Sequence, residues 1–124
     1  MIGALGRVNV YAYCEAVDMR KGFEGLAALV REQMGRDPLS GALFLFANRR
    51  CNRAKTLHFD GTGMCMLAKR LEKGRFVALW NLASRPTIPL TRPELELFLQ
   101  GSHLIGRFRV APAELTDKDL AVRS

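Results

Sequence analysis

Ala42-Leu43-Phe44-Leu45-Phe46-Ala47-Asn48-Arg49-Arg50-Cys51-Asn52-Arg53-Ala54-Lys55-Thr56-Leu57-His58-Phe59 reads as two strands and the turn between them. Ala42 to Ala47 is continuously apolar, the pattern of a central strand covered on both faces. Arg49 to Arg53 form a polar, basic turn, and Ala54 to Phe59 make the next strand. Working outward, Asp60-Gly61-Thr62-Gly63 supplies a reversal rich in residues that accept positive φ. A third strand is expected over Met64 to Leu71, a turn at Glu72-Lys73-Gly74, and a fourth strand over Arg75 to Trp80. Residues 81–90 read as irregular, because Pro86 and Pro89 disfavour a central strand.

On the amino-terminal side, Arg7-Val8-Asn9-Val10-Tyr11-Ala12-Tyr13 alternates with β-branched and aromatic residues and reads as a first strand. Asp18 is positioned to cap a helix. Met19, Phe23, Leu26, Ala27, Val30 and Met34 then give one apolar helical face, and Gly35 suits the left-handed stop. Thr91-Arg92-Pro93-Glu94 is a capping-box start, with Leu95, Phe98 and Leu99 as the buried face of a short helix that Gly101 ends. The expectation is one α+β domain over residues 1–101. It comprises a mainly antiparallel sheet meander, one long amphipathic helix at about 18–34, and a short helix at about 92–100. Residues 102–124 read as a partly ordered tail with no clean period.

The chain has 124 residues, one domain's worth, with 48% apolar and 25% charged residues, an ordinary globular mixture. No apolar run approaches the roughly 20 residues needed to span a bilayer. The first residues lack a charged leader followed by an apolar block, so no signal peptide is read. Three cysteines (Cys14, Cys51 and Cys65) form neither a disulfide framework nor a zinc ribbon, and point to a reducing, cytoplasmic setting.

The net charge of +7 is unevenly placed. Residues 1–48 and 86–124 are each neutral, while residues 49–85 carry nine basic residues against Asp60 and Glu72. A clustered cationic surface attracts polyanions, and nucleic acid is the commonest such partner; the plainer reading is a solvated face. In a meander, alternate turns share one end of the sheet. The turn bearing Arg49, Arg50 and Arg53, with the candidate Lys55 on the strand just beyond it, therefore joins the one bearing Lys69, Arg70, Lys73 and Arg75, roughly 10 Å away. If the first helix crosses over between parallel strands, Arg20 and Lys21 join that rim. Arginine forks and lysine point charges suit a sugar-phosphate backbone.

Other chemistry fits poorly. Asp18, Asp60 and Glu72 have local roles as cap, hairpin and turn residues, so no metal site is expected. His58 sits mid-strand, His103 lies in the tail, and no partner marks a cysteine as a nucleophile. Gly61-Thr62-Gly63 lacks the following Gly-Lys-Ser/Thr of a phosphate loop. No enzymatic activity and no cofactor are expected. Phe76 and Trp80 could stack on bases, although core packing is the simpler reading.

Two separated motifs carry a family resemblance. They are Val17-Asp18-Met19-Arg20-Lys21-Gly22-Phe23-Glu24-Gly25-Leu26-Ala27 and, downstream, Leu43-Phe44-Leu45-Phe46, Arg49-Arg50, Lys55, Phe59-Asp60-Gly61, Cys65 and Lys69-Arg70-Leu71-Glu72-Lys73-Gly74-Arg75-Phe76. Over roughly residues 5–101 the chain resembles the accessory protein encoded by the second open reading frame of IS-sixty-six-type insertion sequences. That protein is labelled TnpB and is distinct from the RNA-guided nuclease sharing the label. The family usually has two aromatics before the Asp-Gly pair, where this chain has His58-Phe59. The resemblance implies a role in transposition beside a larger transposase that carries the catalytic carboxylates. The resulting expectation is a non-enzymatic, bacterial accessory protein that binds DNA through the basic rim, nucleoid-associated when bound. The alternative is an adaptor that docks on the transposase without binding DNA.

Overall fold

The structure, a computed structural model, describes residues 8–103. Five strands form one sheet: β1 (Val10–Ala16), β2 (Leu43–Ala47), β3 (Arg53–Phe59), β4 (Met64–Arg70) and β5 (Thr87–Leu90). Their spatial order is β4-β3-β2-β1-β5. Helix α1 (Phe23–Glu32) crosses from β1 to β2, and α2 (Arg92–Leu99) follows β5.

The expected antiparallel meander is corrected at the centre of this sheet. β1 and β2 pair in parallel, Val10 opposite Leu43 and Ala12 opposite Leu45, so the sheet is mixed. Parallel neighbours cannot be joined by a hairpin, and α1 supplies the required crossover. The other pairings, β2 with β3, β3 with β4 and β1 with β5, are antiparallel.

The long helix expected over 18–34 is also corrected, to ten residues. Asp18 does not cap it. Its carboxylate accepts the Arg20 N–H at 2.9 Å and its carbonyl accepts that of Lys21 at 3.1 Å, which closes a turn ahead of the helix. Gly22 takes the N-cap position without a side-chain bond. At the other end Gly35 adopts φ +65°, and the Arg36 N–H reaches back to the Val30 carbonyl at 3.0 Å.

Strand periodicity divides the core in two. On one face Leu26, Val30 and Met34 of the α1 region cover Tyr13, Phe44, Phe46 and Leu57. On the other, Phe76, Leu79, Leu95 and Phe98 cover Val10, Ala12, Leu43, Leu45, Ala54 and Ile88. β2 lies between these layers with all five residues buried, as its unbroken apolar pattern requires.

The expected strand over Arg75 to Trp80 is absent. Residues 71–76 run back over the β2–β3 turn, where the Leu71 N–H bonds the Asn52 carbonyl at 2.9 Å and the Phe76 N–H that of Cys51 at 2.7 Å. A 3₁₀ turn, Leu79–Asn81, follows. Phe76 is buried and stacks on Phe98 with ring centroids 4.7 Å apart, so it is a core aromatic and not a base-stacking surface. Trp80 is half-buried against the same core.

The stretch read as irregular contains β5, whose Pro89 is tolerated because β5 is an edge strand. The capping box of α2 is present: Thr91 Oγ1 accepts the Glu94 N–H at 3.2 Å and Glu94 Oε1 accepts the Thr91 N–H at 2.8 Å. No described helix is long and apolar enough to cross a membrane. Apart from Ser102 and His103, the tail expected from residue 102 onward lies outside the described residues.

The packing of Phe98 generates a direct test. It is fully buried on Phe76, so Phe98→Ala should destabilise the chain by about 3–5 kcal/mol in denaturant unfolding. A loss below about 1 kcal/mol would contradict this packing.

Candidate nucleic-acid interface

β1 and β2 run the same way, so the segments that follow them leave the sheet at one end. β3 begins and β4 finishes there too, since Arg53 pairs with Arg70. Four chain segments meet at this end: 17–22, 48–53, 70–76 and the approach to β5, where the Cys14 N–H bonds the Pro86 carbonyl at 2.8 Å. The Asp60 hairpin lies at the opposite end.

The β2–β3 turn is rigidly built. Asn48 Oδ1 accepts the N–H groups of Asn52 and Arg53, each at 3.0 Å, and Asn48 Nδ2 donates to Asn52 Oδ1 at 2.7 Å. The Cys51 N–H closes on the Asn48 carbonyl at 3.1 Å, leaving Arg49 and Arg50 at the exposed tip. Cys51 takes φ 59°, an uncommon value for a residue with a side chain, and its thiol is buried in the core beneath.

A groove of about 410 Å³ runs between this turn and the β1–α1 loop, lined by Arg20, Arg49, Arg50 and Arg53 with Asp18, Asn48 and Asn52. A smaller cleft of about 140 Å³ continues from Arg53 past Lys55, Lys69 and Arg70. All ten expected residues therefore gather around this end, but they are not equivalent. Lys55 Nζ donates to the Lys21 carbonyl at 2.9 Å and fastens β3 to the loop before α1. Lys69 Nζ donates to the Leu99 carbonyl at the end of α2, where a cation complements the helix dipole. Arg20 pairs with Asp18 at 2.7 Å, and Arg70 with Glu72 at 3.2 Å.

Lys21, Arg49, Arg50, Arg53, Lys73 and Arg75 are exposed, and their side chains make no hydrogen bond or ion pair among the described residues. Arg85 is exposed at the same end just before β5, and sequence reasoning missed it because β5 itself was not read. Its signal in the sequence was its place among the nine basic residues of 49–85.

Titration separates the acids and thiols. The hydrogen bond from the Arg20 side chain, followed by that from its backbone, lowers Asp18 to about 2. Burial raises the Cys51 thiol, partly offset by Arg75; partial desolvation and then the bond to Asp60 raise that of Cys65. Both thiols are thus held protonated at neutral pH, a poor state for a nucleophile. Asp60 lies across the sheet from Asp18 and Glu72, so these carboxylates do not converge. Among the described residues no three metal-ligating side chains form a cluster.

Fold and site together define a small layered protein on a mixed sheet that presents one cationic loop end. The chain belongs to the family described as IS66 Orf2 like protein, TnpB_IS66, which matches residues 8–107. This agrees with the resemblance carried by the two sequence motifs and gives the chain an accessory role in insertion-sequence transposition. Similar chains include two proteins of Sinorhizobium fredii (strain NBRC 101917 / NGR234), both described as uncharacterized. One, y4jC, is 38% identical over 77 residues, covering 62% of this chain and 66% of its own length. The other, y4hO, is 38% identical over 94 residues, covering 76% of this chain and 80% of its own length. No solved structure is significantly similar to the chain.

The Asp18–Arg20 pair makes a pH prediction. A carboxyl lowered to about 2 is stabilised while ionised, so the pairing contributes fully above the ordinary carboxylate range near 3.8 and is lost as pH falls through about 2. An NMR titration should find Asp18 still ionised at pH 3 and shifted back up in Arg20→Ala. An ordinary value in the unsubstituted protein would refute the pairing.

Proposed function

We propose that the chain is a non-enzymatic accessory protein of transposition that binds the DNA of its element through the cationic end, mainly by backbone contacts. The observation that carries this reading is the convergence of Lys21, Arg49, Arg50, Arg53, Lys73, Arg75 and Arg85 from four chain segments. Mutual repulsion opposes such a gathering, and a polyanion relieves it. Five strands spaced about 4.8 Å apart make an end roughly 19 Å wide. Duplex DNA carries one charge per about 1.7 Å of axis, so that length of duplex holds ~11 phosphates, of which roughly half face one side.

Phosphate contacts position a protein without reading sequence. Among the described residues no helix at this end presents side chains to a major groove, which favours a backbone clamp over a base reader. On this reading the protein works in the bacterial cytoplasm, nucleoid-associated when bound, beside a transposase that performs the strand chemistry. The adaptor reading uses the same rim against an acidic protein surface and becomes the conclusion if DNA binding fails.

Binding to a labelled duplex carrying the element's terminal repeat, against a scrambled duplex, tests the proposal across a salt series. With ~5 phosphates neutralised, log affinity should fall with log salt at a slope near −4 to −5. The Arg49→Glu, Arg50→Glu, Arg53→Glu triple variant should lose binding with its Tm nearly unchanged, because all three side chains are exposed. Unaltered binding by the folded triple variant, or no binding at low salt, would overturn the proposal.

A further inference from the structure

The two edges of the sheet are built differently. β5 is four residues long and carries Pro89. The Cys14–Pro86 hydrogen bond fixes the alternation along β1 and β5, so Pro89 falls at an outward position, where it offers no N–H to a further strand. That edge is closed to pairing in the way natural sheets close an edge.

β4 has no such protection along most of its length. Seven residues pair with β3 without a bulge, and Met64 to Ala68 contain neither charge nor proline. The Asp60–Gly63 bond at 3.0 Å and the Asn52–Leu71 bond at 2.9 Å fix the alternation at both ends of the hairpin. Cys65, Leu67 and Lys69 therefore turn their backbone groups toward β3, whereas Met64, Met66, Ala68 and Arg70 turn theirs outward. None of those outward groups has a hydrogen-bond partner among the described residues. Leu67, at the middle of the strand, is 51% exposed, beside Phe23 and Leu39 one of three large apolar side chains so exposed among the described residues.

We infer that β4 is a self-association edge: a second copy of this chain pairs antiparallel along it, with Leu67 on the two-fold axis. In that register Met66 exchanges backbone hydrogen bonds with Ala68 of the second copy, and Met64 does so with Arg70. Leu67 meets its own counterpart across a non-hydrogen-bonded pair, which removes its exposed surface from water.

Charge selects the antiparallel direction. A parallel copy would set Lys69 and Arg70 beside their own counterparts, whereas the antiparallel copy sets Lys69 opposite Cys65 and Arg70 opposite Met64 of its neighbour. An isologous two-fold also closes the assembly at a dimer. The pairing needs no DNA. If the proposed DNA role also holds, the dimer carries its cationic rims at opposite ends of a ten-stranded sheet and can hold two duplex segments at once.

Sedimentation of the full chain without nucleic acid tests the edge, independently of any DNA binding. A dimer that dissociates on dilution is expected. Ala68→Pro should be monomeric with an unchanged circular dichroism spectrum, because its N–H points away from β3. Leu67→Cys supplies a register-specific readout. Non-hydrogen-bonded pairs hold their Cα atoms about 4.5 Å apart, within disulfide range. Treatment with oxidised glutathione should therefore give a covalent dimer that the unsubstituted chain does not form. A monomeric protein at high concentration, a dimeric Ala68→Pro variant, or no added cross-linking by Leu67→Cys would each overturn the inference. In the last case a dimer would have to use another surface or register. Pairing only with the transposase would likewise exclude the self-association edge.

Discussion

The parallel pairing of β1 with β2 is the constraint on which the rest depends. Two parallel neighbours need a crossover, and a crossover sends both following loops out at the same end. The β1–α1 loop and the β2–β3 turn are therefore neighbours despite a separation of about thirty residues in sequence. An antiparallel arrangement of those strands would have sent Arg20 and Lys21 to the Asp60 end. The same pairing buries β2 between two layers, which is why its five residues are all apolar.

Charge at this end is divided between structure and surface. Lys55 and Lys69 spend their ammonium groups on backbone carbonyls, one fastening β3 to the loop before α1 and the other fastening β4 to the end of α2. Arg20 is held by Asp18. His103 Nε2 donates to the Arg75 carbonyl at 2.9 Å, which ties the chain beyond α2 to the 70–76 loop. The rim is thus a framed surface, and the Asn48 side chain sets the turn that carries its tip. The unpaired arginines and lysines stand on that frame. Only they are free to meet a phosphate without first breaking a bond within the protein.

Much of this was legible in the sequence. The unbroken apolar run of β2, the Asp60-Gly61 reversal with Gly61 at φ +104°, and the Thr91/Glu94 capping box each signal through local chemistry. The charge imbalance located the rim, and the hairpin rule brought its two turns together. Three features escaped, the first through a competing local bond and the other two because tertiary contacts decide them. Asp18 looked like a cap until its carboxylate closed on Arg20. Phe76 to Trp80 alternated like a strand, yet a backbone bond to Cys51 and the stacking of Phe76 on Phe98 fold the segment inward. β5 was hidden by prolines that an edge strand can carry, and with it went Arg85.

The proposed DNA binding uses only one end of the sheet and leaves the Asp60 end free. The most direct measurement is amide hydrogen–deuterium exchange of the full chain with and without duplex. Protection is expected in segments 17–22, 48–53, 70–76 and around Arg85, with the Asp60–Gly63 hairpin unchanged. Protection centred on that hairpin, or on none of the four segments while DNA is bound, would contradict the account.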